Sequence, residues 1–279
     1  MTTRTRAAKG SARPETEGSA GPETTTAIGR MASLGRAEFT LLIRNRTALF
    51  VALLMPLLMI ASLRGSLDRI GADETGMSVT EGVMTGGIGM ILILVVYLNL
   101  VSAYVGRREE LVLKRLRTGE ATDREILAGT ALPSSAVALA QCVLMVAAAV
   151  LFLDMTAPRR PEVFVAGVLV GTVLLTALAA LTAAITRTVE SAQLTTMPLF
   201  LVSAFGSGLF IPLQMLPERV AQVGEVLPLT GVMTLVRAGW LGFSGDDTED
   251  LAIAAVTALA WTVISVFAVR RWFRWEPRR

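Results

Sequence analysis

Residues 163–185 read VFVAGVLVGTVLLTALAALTAAI, an apolar run without one ionisable side chain. A helix crossing the hydrocarbon core of a bilayer needs about 20 such residues. This stretch reads as a membrane-spanning helix, and the clustering of further runs like it is what points to a membrane protein. Outward from it, five more runs approach the same length: 47–63, interrupted by Pro56; 82–104; 131–153, with Pro133 near its start; 192–211, containing Pro198; and 251–269. The expected fold is all-α and polytopic, with six transmembrane helices. Interior prolines are compatible with spanning, because neighbouring helices satisfy the carbonyls they free. Of the 279 residues 53% are apolar and 18% charged, against about 45–50% and about 25% in a soluble domain.

Several chemistries are excluded. The chain has no histidine, which removes a Ser–His–Asp triad, an HExxH zinc site and histidine proton relays. Its one cysteine, Cys142, cannot form an internal disulfide. A net charge of +3 and a pI of 9.6 would suggest nucleic acid in a soluble protein. Here the basic residues flank apolar runs, which is a topological pattern, and no nucleic-acid partner is expected.

Orientation follows from the 26 Lys and Arg. Most precede the first span, follow the sixth, or lie in the 106–130 connection. Cytoplasmic segments carry that excess, so both termini and the 106–130 loop are expected in the cytoplasm. Four regions result: a cytoplasmic tail at 1–27, too polar to bury a core; a helix at 28–46; a six-helix transmembrane domain at 47–270; and a cytoplasmic tail at 271–279. In the 28–46 helix, Ile28, Met31, Phe39, Leu42 and Ile43 share one face and Arg30, Thr40 and Arg44 the other. An amphipathic helix of this kind lies in the membrane interface.

The external connection 212–250 is long, partly apolar and punctuated by Pro212, Pro217 and Pro228, with short helices expected at 220–227 and 232–241. Apolar chain broken by prolines fits a re-entrant segment covered by protein. The cytoplasmic loop holds Arg107-Arg108-Glu109-Glu110-Leu111-Val112-Leu113-Lys114-Arg115-Leu116-Arg117, with strong helix formers and neither Gly nor Pro. Glu110 and Lys114 are paired four apart. Gly119 breaks the helix, and Asp123 is expected to cap a segment at 124–128. A short charged helix with an apolar edge suits force transmission from a cytoplasmic partner; a plain positive-inside anchor would read the same way.

Two stretches resemble the ABC-2 type permeases. The loop is similar to their R-x-E-x-G-x-L-x-R-L-R through Arg107, Glu109, Leu113, Arg115, Leu116 and Arg117, followed by Ile126-Leu127-Ala128-Gly129. It departs at Leu111, where a glycine is common, and at Gly119-Glu120, where Thr-Pro is common. The second stretch, Ser207-Gly208-Leu209-Phe210-Ile211-Pro212-Leu213-Gln214-Met215-Leu216-Pro217, resembles S-G-x-F-x-P-x-x-x-L-P. It is followed by Leu227-Pro228-Leu229-Thr230 and Arg237, which look like the family's L-P-L-T and trailing Arg. The resemblance runs from Ile28 to the C-terminus.

That resemblance implies a membrane subunit of an ABC exporter that dimerises and binds two copies of a separate ATPase. Residues 107–117 would be the coupling helix, with Glu110 among its docking residues. The segment holding Gly208, Pro212, Pro217, Pro228 and Arg237 would be the re-entrant pair. The cargo would be an amphiphilic drug, antibiotic or lipid-like molecule carried across the cell membrane. ATP would be used by the partner, and this chain would bind no cofactor. The sequence agrees on one point: it lacks G-x-x-x-x-G-K-[ST], so it cannot cradle ATP as a P-loop does.

The spans hold almost no ionisable group, which disfavours ion coupling in a stand-alone secondary transporter. An intramembrane hydrolase would need an acid or Ser–His pair, and a non-transporting scaffold remains an alternative. Polar groups in the spans suit interhelical hydrogen bonds, with Asn99, Ser203 and Ser207 the candidates for the transport path. The small-residue pairs Gly82/Gly86, Gly167/Gly171 and Ala204/Gly208 permit close helix approach, within one chain or between two. Trp240, Trp261, Trp272 and Trp275 fit an aromatic belt.

Overall fold

The computed structural model describes residues 79–111, 122–152, 154–209, 217–243 and 248–273. The expected tail (1–27), interfacial helix (28–46) and first span (47–63) lie outside the described residues. Within the described residues all regular structure is helical: α1 (Val79–Ile91), a π-helical stretch (Leu92–Leu98), α2 (Asn99–Glu109), α3 (Asp123–Phe152), α4 (Pro161–Ile185), α5 (Val189–Gly206), α6 (Glu218–Glu225), α7 (Thr230–Leu241) and α8 (Thr248–Trp272).

Four helices are long and apolar enough to cross a membrane: Glu81–Glu109, in which α1, the π stretch and α2 run on from one another, α3, α4 and α8. They are the second, third, fourth and sixth expected spans. The fifth differs. α5 has 18 residues, a rise of about 27 Å at about 1.5 Å per residue. It carries Glu190, Gln193, Thr195, Thr196 and Pro198, so in length and apolarity it falls short of the other four.

α3 begins earlier than the sequence suggests. One helix runs from Asp123 through Pro133 to Phe152, with no separate segment before the span. The cap is Thr122, not Asp123. The Thr122 N–H donates to Glu125 Oε2 at 2.8 Å, and the Glu125 N–H to Thr122 Oγ1 at 3.4 Å, a reciprocal capping box. Pro133 leaves the Gly129 carbonyl without its helical donor. The turn before it is held from α2: the Tyr104 hydroxyl donates to the Leu127 carbonyl at 2.9 Å, and Arg107 Nη1 to Thr130 Oγ1 at 2.9 Å.

α4 is the central helix. It packs against α2, the π stretch, α7 and α8. Small side chains on its inner faces, among them Ala179, Ala180, Ala183 and Ala184, are buried and let neighbours approach closely. Gly167 and Gly171 serve the same purpose within one chain. A Cβ on Gly171 would meet Val232 of α7 at 2.7 Å and Leu92 at 3.0 Å, and one on Gly167 would meet Leu235 at 3.0 Å. The Gly86 position lies against the Leu209 carbonyl in the same way.

α7, with 12 residues, rises about 18 Å and is too short to span about 30 Å of hydrocarbon. It is nevertheless lodged between α4 and α8 with Val232, Met233 and Val236 fully buried. Short helices are present at both expected positions, as α6 and α7. Trp240 departs from the aromatic-belt reading. It is 2% exposed and packs edge-on against Phe164, with ring centroids 5.8 Å apart. Trp272 is exposed, Trp261 donates to the Val226 carbonyl at 2.8 Å, and Trp275 lies outside the described residues. The outward face of α8 is apolar, with Val256, Val263 and Phe267 all exposed, as expected of a helix facing lipid.

Candidate functional site

The Tyr97, Val101, Tyr104 and Arg108 positions are spaced so that they share one face of a helix, and all four are buried. The stripe turns polar towards the end of α2. Tyr97 Oη lies 3.1 Å from Thr182 Oγ1, Tyr104 binds α3, and Arg108 reaches the end of α4. Arg108 is 1% exposed. Its Nη1 donates to the Ala183 carbonyl at 2.7 Å, and its Nη2 to the Thr186 and Arg187 carbonyls at 2.5 and 3.3 Å. The last carbonyls of a helix have no partner within it, and a cation suits that end of the helix dipole. One side chain thus caps α4 from α2.

The junction continues into α5. Thr186 Oγ1 lies 2.8 Å from Thr195 Oγ1. Thr188 caps α5, its Oγ1 accepting from the Ser191 N–H at 3.2 Å while the Thr188 N–H donates to Ser191 Oγ at 3.0 Å. The Glu190 carboxyl is held below the usual carboxylate range by its own backbone N–H and the Thr188 hydroxyl. This end of the bundle is a polar knot joining α2, α3, α4 and α5.

Beyond the knot α2 stops. Its last residue is Glu109, Glu110 is the C-cap, and Leu111 has φ +59°. The Glu110 N–H donates to the Gly106 carbonyl at 3.0 Å and the Leu111 N–H to the Arg108 carbonyl at 3.1 Å, a left-handed terminus of the kind glycine favours. The continuous 107–117 helix read from the sequence is therefore not what forms. Arg107–Glu109 belong to the spanning helix, which ends in a left-handed residue. A glycine common at position 111 has its physical reason here, since a Cβ costs about 1–2 kcal/mol in this conformation. We expect Leu111→Gly to raise stability by about 0.5–1 kcal/mol net of the extra unfolded-chain entropy, measured as slower amide exchange at Glu110 and Leu111.

Of the expected coupling residues, Arg107 is tied to Thr130, while Glu109 and Glu110 are exposed at the helix end. Leu113, Arg115, Leu116 and Arg117 lie outside the described residues. Sequence reasoning missed Arg108, Thr186 and the Thr122–Glu125 box. The box is visible as Thr-x-x-Glu. Arg108 is visible only once Tyr97 and Tyr104 are read as a buried stripe.

The second motif opens with a turn at the end of α5. Ser207 follows α5, Gly208 adopts φ +71° and Leu209 is buried. Arg237 Nη2 donates to the Gly208 carbonyl. Glycine suits the left-handed position, and the arginine satisfies the carbonyl that the turn exposes. Pro217 precedes α6, and Pro228 lies in the turn to α7, where Thr230 Oγ1 binds the Gly224 carbonyl at 2.5 Å. Pro212 lies outside the described residues.

Asn99 is exposed on α2, its Nδ2 donating to the Val95 carbonyl at 3.2 Å. Ser203 and Ser207 are buried, and Ser207 Oγ has no hydrogen-bond partner among the described residues. The outward face of α5 exposes Leu194, Met197, Leu201 and Phe205. The structure thus places Asn99 at the surface of the chain and the serine pair inside it. Among the described residues no group of His, Cys, Asp and Glu is arranged to hold a metal.

Residues 30–241 match the family model of the ABC-2 type transporter. That is most of the chain, and the chain belongs to this family. It is therefore a membrane component of an ABC-type transporter, a class that in general works with an ABC ATPase. No match is found among the curated proteins.

Proposed function

We propose that this chain is the permease of an exporter in the cell membrane, that it dimerises with a second copy, and that it binds two copies of a separate ATPase. Both termini and the Arg107–Glu110 end face the cytoplasm, and the cargo is an amphiphilic or hydrophobic molecule such as a drug, an antibiotic or a lipid. The carrying observation is the buried Arg108, which clamps α2 to α4 immediately before the exposed Glu109 and Glu110. An acidic tip fixed to two spans can pass on a displacement that a floppy loop would absorb. The exposed apolar face of α5 and the exposed Asn99 support a second copy packing there and a path between the two. On this reading, the segment from Gly208 to Arg237 is re-entrant from the outer side.

The test combines co-purification with coupling. The complex should contain an ATPase. Glu110→Ala and Leu116→Asp should each lower cargo-stimulated ATP hydrolysis about tenfold, the effect of about 1.4 kcal/mol of lost docking, while membrane insertion is unchanged. Normal export by both variants overturns the coupling role.

A further inference from the structure

A cavity of about 700 Å³ lies at the end of the bundle that carries the Arg108 knot, walled by α2, α3, α4 and α8. That volume suits an organic ligand. The inner lining is mainly apolar, with Val173, Ala177 and Ala180 of α4 and Val266 of α8, and Thr176 of α4 the one hydroxyl among them. The charged lining residues are all at helix ends, Asp123 and Arg124 in the first turn of α3 and Arg270 in the last turn of α8. Along α4, Val173 lies about 18 Å from the Ile185 end, a little over half of the roughly 30 Å hydrocarbon thickness. The cavity is thus about one leaflet deep, greasy within and cationic at the mouth.

The charge at the mouth is available. Arg124 and Arg270 are exposed and have no hydrogen-bond or ion-pair partner among the described residues. Asp123, at the same rim, makes an interaction within the chain. Guanidinium groups match phosphate oxygens in geometry and charge.

We infer that this cavity binds one anionic phospholipid from the leaflet at this end, with an acyl chain against Val173 and Ala177 and the phosphate against Arg124 and Arg270. A zwitterionic lipid has the same tails, but its amine offsets the phosphate. The inference needs only that the bundle spans a bilayer, and it does not rest on transport or on the ATPase.

The test uses the full chain, purified in detergent, stripped of lipid and titrated separately with phosphatidylglycerol and phosphatidylcholine of identical chains, with bound lipid counted by native mass spectrometry. One phosphatidylglycerol should bind per chain, roughly 30-fold more tightly, about fivefold for each guanidinium near an anionic headgroup. The double variant Arg124→Gln, Arg270→Gln, altered only at exposed positions, should bind both lipids equally. Ala177→Phe should weaken both. Equal binding by the unaltered chain, or a preference that survives the double variant, overturns the inference. So does the absence of any bound lipid, the result expected if residues 28–46 of the chain fill the cavity. Coupling through Glu110 is read in a separate assay, so failure of one leaves the other standing.

Discussion

Arg108→Ala should destabilise the protein by about 3–5 kcal/mol, the scale of leaving several acceptors without their shared donor at about 1–3 kcal/mol for each that is buried. The substitution strips the hydrogen bonds from the Ala183, Thr186 and Arg187 carbonyls. It also leaves a void where a fully buried side chain stood. Arg108→Lys keeps the charge but not the forked geometry, and should recover less than half of the loss. The measurement is the thermal midpoint of the detergent-solubilised chain. A midpoint for Arg108→Ala within a degree of the unaltered chain would show that the knot carries no stability.

Gly239→Val is the second large effect. A Cβ at Gly239 would sit 2.3 Å from the Phe164 backbone nitrogen and 2.5 Å from its Cα. The obstacle is backbone, so α7 must move away from α4. That movement breaks the bond from the Arg160 N–H to the Gly239 carbonyl at 2.9 Å and opens the Phe164–Trp240 contact. Forcing extra atoms into packed contacts costs about 1–3 kcal/mol. Gly239→Ala should fall in that range, and the branched valine above it. Intrinsic fluorescence reports the change, because Trp240 leaves a dry site and the emission shifts to the red. An unshifted spectrum with an unchanged midpoint would contradict the close contact.

The sequence makes the spans legible where apolar runs are long and uninterrupted. The 163–185 run became α4 almost residue for residue. It misleads where a proline or a short charged segment looks like a boundary. Pro133 reads as a helix start, yet α3 runs through it because α2 holds the turn before it, a tertiary effect with no local signature. Asp123 reads as a cap, but Thr122 supplies the hydroxyl. Charged residues at 107–117 have strong helix propensity, yet the backbone turns left-handed at Leu111, and only the departure from the family's glycine hints at it. The second motif is the opposite case. Gly208 and Arg237 are 29 residues apart, and their hydrogen bond explains why both types recur in the pattern. Trp240 was hidden because a buried tryptophan and an interfacial one look alike in a sequence.

α4 is pinned at both extremities: Arg108 grips its last carbonyls, and the chain around Gly239 and Trp240 is bonded to the residues just before its first turn. At about 1.5 Å per residue its 25 residues make a strut of roughly 37 Å. A beam fastened so cannot yield at one support without tilting at the other. Pushing on the acidic tip of α2 would thus swing α7 at the far side, with no wiring between them beyond one stiff rod.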